Sequence, residues 1–142
     1  MGKPAADFGI HGLWPNYAKC HGRQQGLAHT VLSDDALLAA ANWPTLSCKS
    51  GCSLEFWSYK WKKHGTCSNL EQDEHFSRAL VLKARYNLTS ILSDAGIVPS
   101  DSGTYPLDSV RDAIAQGTGF MANLECNRDA DGEAQLFQVY CA

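Results

Sequence analysis

Glu55-Phe56-Trp57-Ser58-Tyr59-Lys60-Trp61-Lys62-Lys63-His64-Gly65-Thr66-Cys67 is the stretch on which the fold turns. Trp57, Trp61 and His64 recur at i, i+4 and i+7, the spacing of one helix face, and Gly65 stands where a C-cap is expected. A helix is therefore predicted over Glu55 to Lys63, delivering His64 at its end. Toward the N-terminus, Asp7-Phe8-Gly9-Ile10-His11 is a short apolar stretch with a polar exit, followed by the turn-prone Trp14-Pro15-Asn16. It reads as a strand bringing His11 to a loop mouth. Between these segments, Ser33 as N-cap with Asp34 and Asp35 in the first turn predicts a helix through Ala41, ended by Trp43-Pro44. Toward the C-terminus, a helix is expected over Gln72 to Tyr86, with Phe76, Leu80 and Lys83/Ala84 on one side. Two shorter helices follow, Thr89 to Ala95 stopped by Gly96 and Leu107 to Gln116 stopped by Gly117. Ala122 to Cys126, an Asp131-Gly132 turn and Gln135 to Cys141 read as a hairpin, so the class is α+β.

The chain of 142 residues fits one domain, with no internal repeat, low-complexity tract or linker. Hydrophobic residues at 44% against 19% charged exclude a disordered tail and a coiled coil. No apolar run approaches the roughly eighteen residues of a membrane span. With 12 basic and 15 acidic residues, the net charge of -3 speaks against gripping duplex nucleic acid by a basic face. Six cysteines, at positions 20, 48, 52, 67, 126 and 141, suit an oxidised, exported domain. Asn87-Leu88-Thr89 is a glycosylation sequon. The opening Met1-Gly2-Lys3-Pro4 shows no basic, apolar, small-residue leader.

Two of the five histidines stand apart. His11, in Phe8-Gly9-Ile10-His11-Gly12-Leu13-Trp14-Pro15, and His64 are each followed by Gly in an aromatic setting, a setting that His21, His29 and His75 lack. A neighbouring glycine suits close approach of a substrate backbone, and an imidazole near pH 6.5 suits proton transfer.

The segments from Gly2 to Asn16 and from Glu55 to Cys67 resemble the two active-site blocks of the T2-type ribonucleases, most closely the plant S-like branch. Asn42-Trp43-Pro44-Thr45-Leu46-Ser47-Cys48 and Leu124-Glu125-Cys126-Asn127 resemble its structural landmarks, so the likeness spans the chain. The resemblance implies a T2-type fold with a central antiparallel sheet and several helices. It implies a monomer cleaving single-stranded RNA through a 2′,3′-cyclic phosphate, with no cofactor, metal or membrane, in a secreted, vacuolar or other secretory-pathway compartment. By family matching His64 is the base, His11 the acid and Lys63 the cation, while Trp14 lies where a base stacks. Trp57 and Trp61 read either as helix core or as substrate lining.

Two departures stand out. Tyr59-Lys60 occupy the place of the family's usual His-Glu, which predicts slowed chemistry with Lys60 retaining phosphate binding. Lys60 and Lys63 beside His64 predict a lowered imidazole pKa. The alternative is a catalytically inactive relative with a storage, stress or RNA-binding role. Relative to family habit, an opening strand with paired cysteines and a closing cysteine-bearing segment are missing. The resemblance pairs Cys20 with Cys67, closing a loop of about 48 residues for about 4 kcal/mol. Cys48, Cys126 and Cys141 would be free, or would pair as Cys126 with Cys141 and Cys48 with Cys52. The soft ligands Cys48-x3-Cys52, His64-x2-Cys67 and Cys20-His21 match no common zinc-finger spacing.

Overall fold

The computed structural model describes residues 7–15, 43 and 53–141, with backbone alone for 53 and 54. The chain divides into two compact units, Gly9–Arg85 and Met1–Phe8 with Tyr86–Ala142. Helices and one antiparallel strand pair make up the described residues, an α+β composition. The helix expected over 33–41 lies outside them. The strand expected over Asp7 to His11 is a correction: this segment has no strand in the structure, and among the described residues the only ladder is the C-terminal hairpin.

In the first unit, α1 (Ser53–Lys63) starts near Glu55 and ends with Lys60, Lys62 and Lys63. α2 (Gln72–Arg85) likewise has Asp73 and Glu74 in its first turn and Lys83 and Arg85 in its last. Both charge orders oppose the helix dipole favourably. Trp43, Trp57, Trp61, Phe76 and Ala79 form the core, with Ile10, Leu13 and Phe56 packed on it. The buried face of α2 is Gln72, His75, Phe76 and Ala79, rotated from the expected Phe76, Leu80 and Lys83/Ala84, and Val81 and Leu82 face outward. The aromatic contacts decide this: Phe76 meets Trp43 at 5.5 Å and Trp61 at 6.4 Å, while His75 meets Trp61 at 5.6 Å.

The second unit begins with α3 (Leu88–Asp94), capped by Asn87, whose side-chain oxygen accepts from Ser90 N–H at 3.1 Å. Its end is stopped at Gly96 as expected. Gly96 takes φ 76°, its N–H donates to Ser93 O at 2.9 Å, and Ile97 N–H reaches Leu92 O at 2.8 Å. α4 (Leu107–Thr118) buries Val110, Ala113, Ile114 and Thr118 at helical spacing. It runs past Gly117, where the sequence suggested a stop, and ends at Gly119 with φ 80°. Gly117 serves packing instead: a Cβ there would lie 2.5 Å from Ile91 Cγ2 of α3.

β1 (Ala122–Arg128) and β2 (Ala134–Cys141) form the hairpin. Its turn is organised by Asp129, whose carboxylate accepts from Asp131 and Glu133 N–H at 2.9 Å each, with Gly132 at φ 88°. Pairing passes from Glu125↔Gln138 to Cys126↔Leu136, leaving Phe137 as a bulge. The bulge places Leu136 and Val139, three residues apart, on the face of Leu124, and all three pack on the core of Leu92, Val110, Ala113, Ile114 and Ala122. Cys126 and Cys141 are free thiols. Cys141 lies opposite Ala122, four residues from Cys126, so about 13 Å of strand separates two groups that a disulfide needs within about 7 Å.

Gly117→Ala should destabilise the protein by about 1–3 kcal/mol through overpacking. Urea unfolding will show it as a lowered midpoint, and adding Ile91→Ala should make the alanine at 117 cost less than it does alone.

Candidate active site

The site is built where α1 ends. His64 N–H still donates to Lys60 O at 2.9 Å, but His64 leaves the helix at φ -127°, ψ -42°, and Gly65–Cys67 form a 3-10 turn. His64 O accepts from Cys67 N–H at 3.3 Å. Gly65 O accepts from both Ser68 N–H at 2.9 Å and Ser68 Oγ at 2.5 Å, and Thr66 Oγ1 donates to Lys62 O at 3.2 Å. Cys67 is buried and disulfide-bonded. The pairing with Cys20 implied by the resemblance falls on a residue outside the described ones. The backbone on both sides of His64 is thus fixed, which is what a proton-transfer group requires.

Gly65 is no left-handed C-cap. It is buried, and a Cβ on it would lie 2.0 Å from Trp61 Cε3. Gly12 does the same for Trp14, whose Nε1 would lie 2.5 Å from an added Cβ. The space beside both histidines is therefore filled by indole rings, not kept for a substrate backbone.

His11 and His64 meet at Trp14. The Trp14 ring centroid is 5.3 Å from that of His11, edge-on at 73°, and 5.4 Å from that of His64, tilted by 32°. Trp14 is 41% exposed and His11 is exposed, so the group opens to solvent. Lys63 is exposed, with Nζ 5.5 Å over the ring of Tyr59, itself exposed. Lys60 is buried at 6% exposure, with Nζ 5.2 Å over Phe56. Neither lysine has a carboxylate partner among the described residues.

This electropositive setting acts on the imidazole. His64 is pushed down to about 4, first by burial and then by Lys63, Lys60, His75 and His11. The direction is the one expected from the two lysines, but burial is the larger cause. Lys60 is itself lowered, by burial and then by Lys63. His64 is therefore neutral, with a free lone pair, at every pH well above 4.

Trp57 does not line the site: it is 2% exposed and its Nε1 donates to Trp43 O at 3.2 Å, which assigns it to the core, as burial assigns Trp61. The sequence reading passed over His75, which is 1% exposed and packed against Trp61. Its burial comes from contact with the aromatic cluster, for which its residue type gives no signal. Asn87 is exposed and lies in the other unit, at the start of α3. Among the described residues no group of three His, Cys, Asp or Glu side chains is arranged to hold a metal.

The ribonuclease T2 family model matches residues 1–142, and the chain belongs to that family. It is 48% identical to Ribonuclease 1 of Arabidopsis thaliana, covering 98% of this chain and 63% of the relative. It is 44% identical to Intracellular ribonuclease LX of Solanum lycopersicum and 44% to Extracellular ribonuclease LE of the same plant, covering 98% of this chain in each case and 61% and 64% of the relatives. These relatives accord with the plant S-like branch. The solved structure of RNase NT in complex with 5'-AMP superposes with TM-score 0.90 at 41% identity, over 98% of this chain and 71% of that one. The chain spans just under two thirds of the length of the curated relatives it matches.

NMR titration should place the His64 pKa near 4, and Lys63→Met should raise it without returning it to the ordinary 6.5, because burial remains. A full return would mean that charge, not burial, sets the value.

Proposed function

We propose that this chain is a T2-type ribonuclease domain spanning residues 1–142 that cleaves single-stranded RNA by transesterification, with reduced activity. The observation that carries this reading is the convergence of His11 and His64 on the exposed ring of Trp14. The likeness to ribonucleases from plants, and to a relative solved with 5'-AMP, supports it.

The chemistry follows from the protonation states. Neutral His64 accepts the 2′-hydroxyl proton as that oxygen bonds to phosphorus, and His11 in its protonated form gives a proton to the departing 5′-oxygen. Lys63, exposed beside them, offsets the charge gathering on the phosphoryl oxygens. Trp14 offers a ring face for an unstacked base. The 2′-oxygen to phosphorus bond forms, the phosphorus to 5′-oxygen bond breaks, and one proton is taken up for each released.

Hydrolysis of the cyclic phosphate needs the reverse assignment, with His64 as acid. A pKa of about 4 leaves only about one His64 in ten protonated at pH 5. Cyclic phosphate therefore accumulates as the end product. Slowed cleavage follows from the cation-only surroundings: with Tyr59 and Lys60 in place, no described carboxylate pairs with either lysine beside His64. Lys60 retains a phosphate-directing role through its charge beside His64.

A secretory-pathway compartment suits a chain with a disulfide at Cys67. The relatives include one named extracellular and one named intracellular, which leaves secretion and internal compartments both represented. Asn87 is exposed and is the residue to carry a glycan there.

A short single-stranded RNA incubated with the oxidised protein at pH 5, with chelator present, should yield cyclic-phosphate ends that persist, and His64→Ala should abolish them. Absence of cleavage by a folded protein would identify a scaffold retired from catalysis. Lys60→Glu should raise turnover about tenfold or more by supplying a carboxylate one helical turn before His64; unchanged turnover would show that the cation at 60 is not what slows the reaction.

A further inference from the structure

We infer that Trp61 is the positioning residue of His64, and that the buried ring of His75 holds Trp61 in place. The inference rests on the ribonuclease reading for its catalytic consequence, but its geometry stands apart from that reading.

Hydrogen bonds alone fix the path of the 3-10 turn, not its depth in the unit. The depth is set by contact. An added Cβ at Gly65 would fall 2.0, 2.6 and 2.9 Å from Trp61 Cε3, Cζ3 and Cδ2, so the Gly65 α-carbon already rests on the six-membered ring of the indole. Trp61 is four residues earlier, on the last turn of α1, and is 5% exposed. Any rotation of that ring displaces Gly65, and with it the residue before it, His64.

The ring is confined from the α2 side. His75 stands edge-on to it at 5.6 Å and 70°, and Phe76 lies at 6.4 Å and 39°. An imidazole edge toward an aromatic face is the favoured arrangement of such rings. His75 is 1% exposed, and its Nδ1 has no hydrogen-bond partner, so packing is its evident work. Burial lowers its pKa, which keeps it uncharged against the indole. A neutral His75 also withholds a further cation from behind His64, whose titration responds to it.

A tryptophan that merely filled the core would be replaceable without consequence for the imidazole 64 so long as the fold survived. A positioning tryptophan would not. Misplacement of a reacting group by about 1 Å costs about a hundredfold.

The test uses Gly65→Ala, Trp61→Phe, Trp61→Leu, His75→Phe and the double variant Gly65→Ala/Trp61→Leu in the oxidised full chain. Each is assayed for kcat and KM on a dinucleotide and for the NMR titration of His64. Gly65→Ala should lower kcat about 10- to 100-fold with KM within about twofold, and move the His64 titration midpoint. Trp61→Phe, which keeps a ring, should recover most of the kcat that Trp61→Leu loses, and His75→Phe should retain it. In the double variant the alanine at 65 should cost much less than it does alone, since the ring it strikes is gone. Folded Gly65→Ala with wild-type kcat and an unmoved His64 midpoint would overturn the inference, as would strict additivity in the double variant. Should Gly65→Ala fail to fold, equal kcat and His64 midpoints in Trp61→Phe and Trp61→Leu would overturn it. Should the wild-type chain prove unable to cleave RNA, the ribonuclease reading fails by itself, and the His64 midpoints across the variants still decide the positioning role.

Discussion

The contact between the Trp61 ring and the Gly65 backbone is the constraint on which the first unit depends. In the 3-10 turn that follows α1 the Gly65 backbone lies against the indole so closely that no side chain fits at 65, which ties the place of the turn, and of His64 before it, to that ring. The same ring anchors α2 through His75 and Phe76, and Trp57 ties α1 to the segment of Trp43 by a side-chain to backbone hydrogen bond. One buried aromatic cluster thus determines helix rotation, helix length and the placement of the most perturbed imidazole. The placement of that imidazole follows from core packing together with the hydrogen bonds of the 3-10 turn.

The electrostatic character of the site follows from the same burial. Lys60 faces inward from α1 and Lys63 outward, and both lie within a turn of His64. Removing water from the imidazole and adding two cations act in one direction, and neither is countered by a described carboxylate. Such a site holds a base ready across the mildly acid range and makes its conjugate acid costly. In the proposed sequence of transesterification and hydrolysis, this asymmetry separates two halves that share the same residues.

Much of this was legible in the sequence, and the misses have physical causes. α1, α2, α3 and the hairpin stand within a residue or two of their expected bounds, because spacing, end charges and Gly96 are local signals. The two blocks around His11 and His64 were recognisable, and so was the direction of the His64 shift. Gly65 and Gly117 were misread as helix stops for one reason: a glycine that makes room for a distant ring or branched side chain looks, in sequence, like one that takes a left-handed turn. The face of α2 was misplaced because His75 and Gln72 are polar by type yet buried by contact with aromatic rings. Trp57 and Trp61 could be core or lining until burial decided between them.

The bulge at Phe137 gives β2 two parities. Residues before it and after it obey alternation separately, each half in step with β1 and out of step with the other. Away from the bulge, a hairpin of this kind is intolerant of a change in length where it is tolerant of a change in composition. Loss of Phe137 itself would restore a regular ladder with Leu136 and Val139 two residues apart and still on the face of Leu124, whereas a residue lost elsewhere, with the bulge kept, would exchange inside for outside from that point on. Substitutions along β2 and single-residue deletions away from its bulge are therefore different kinds of event: the first alters a contact, the second reassigns which side chains belong to the core.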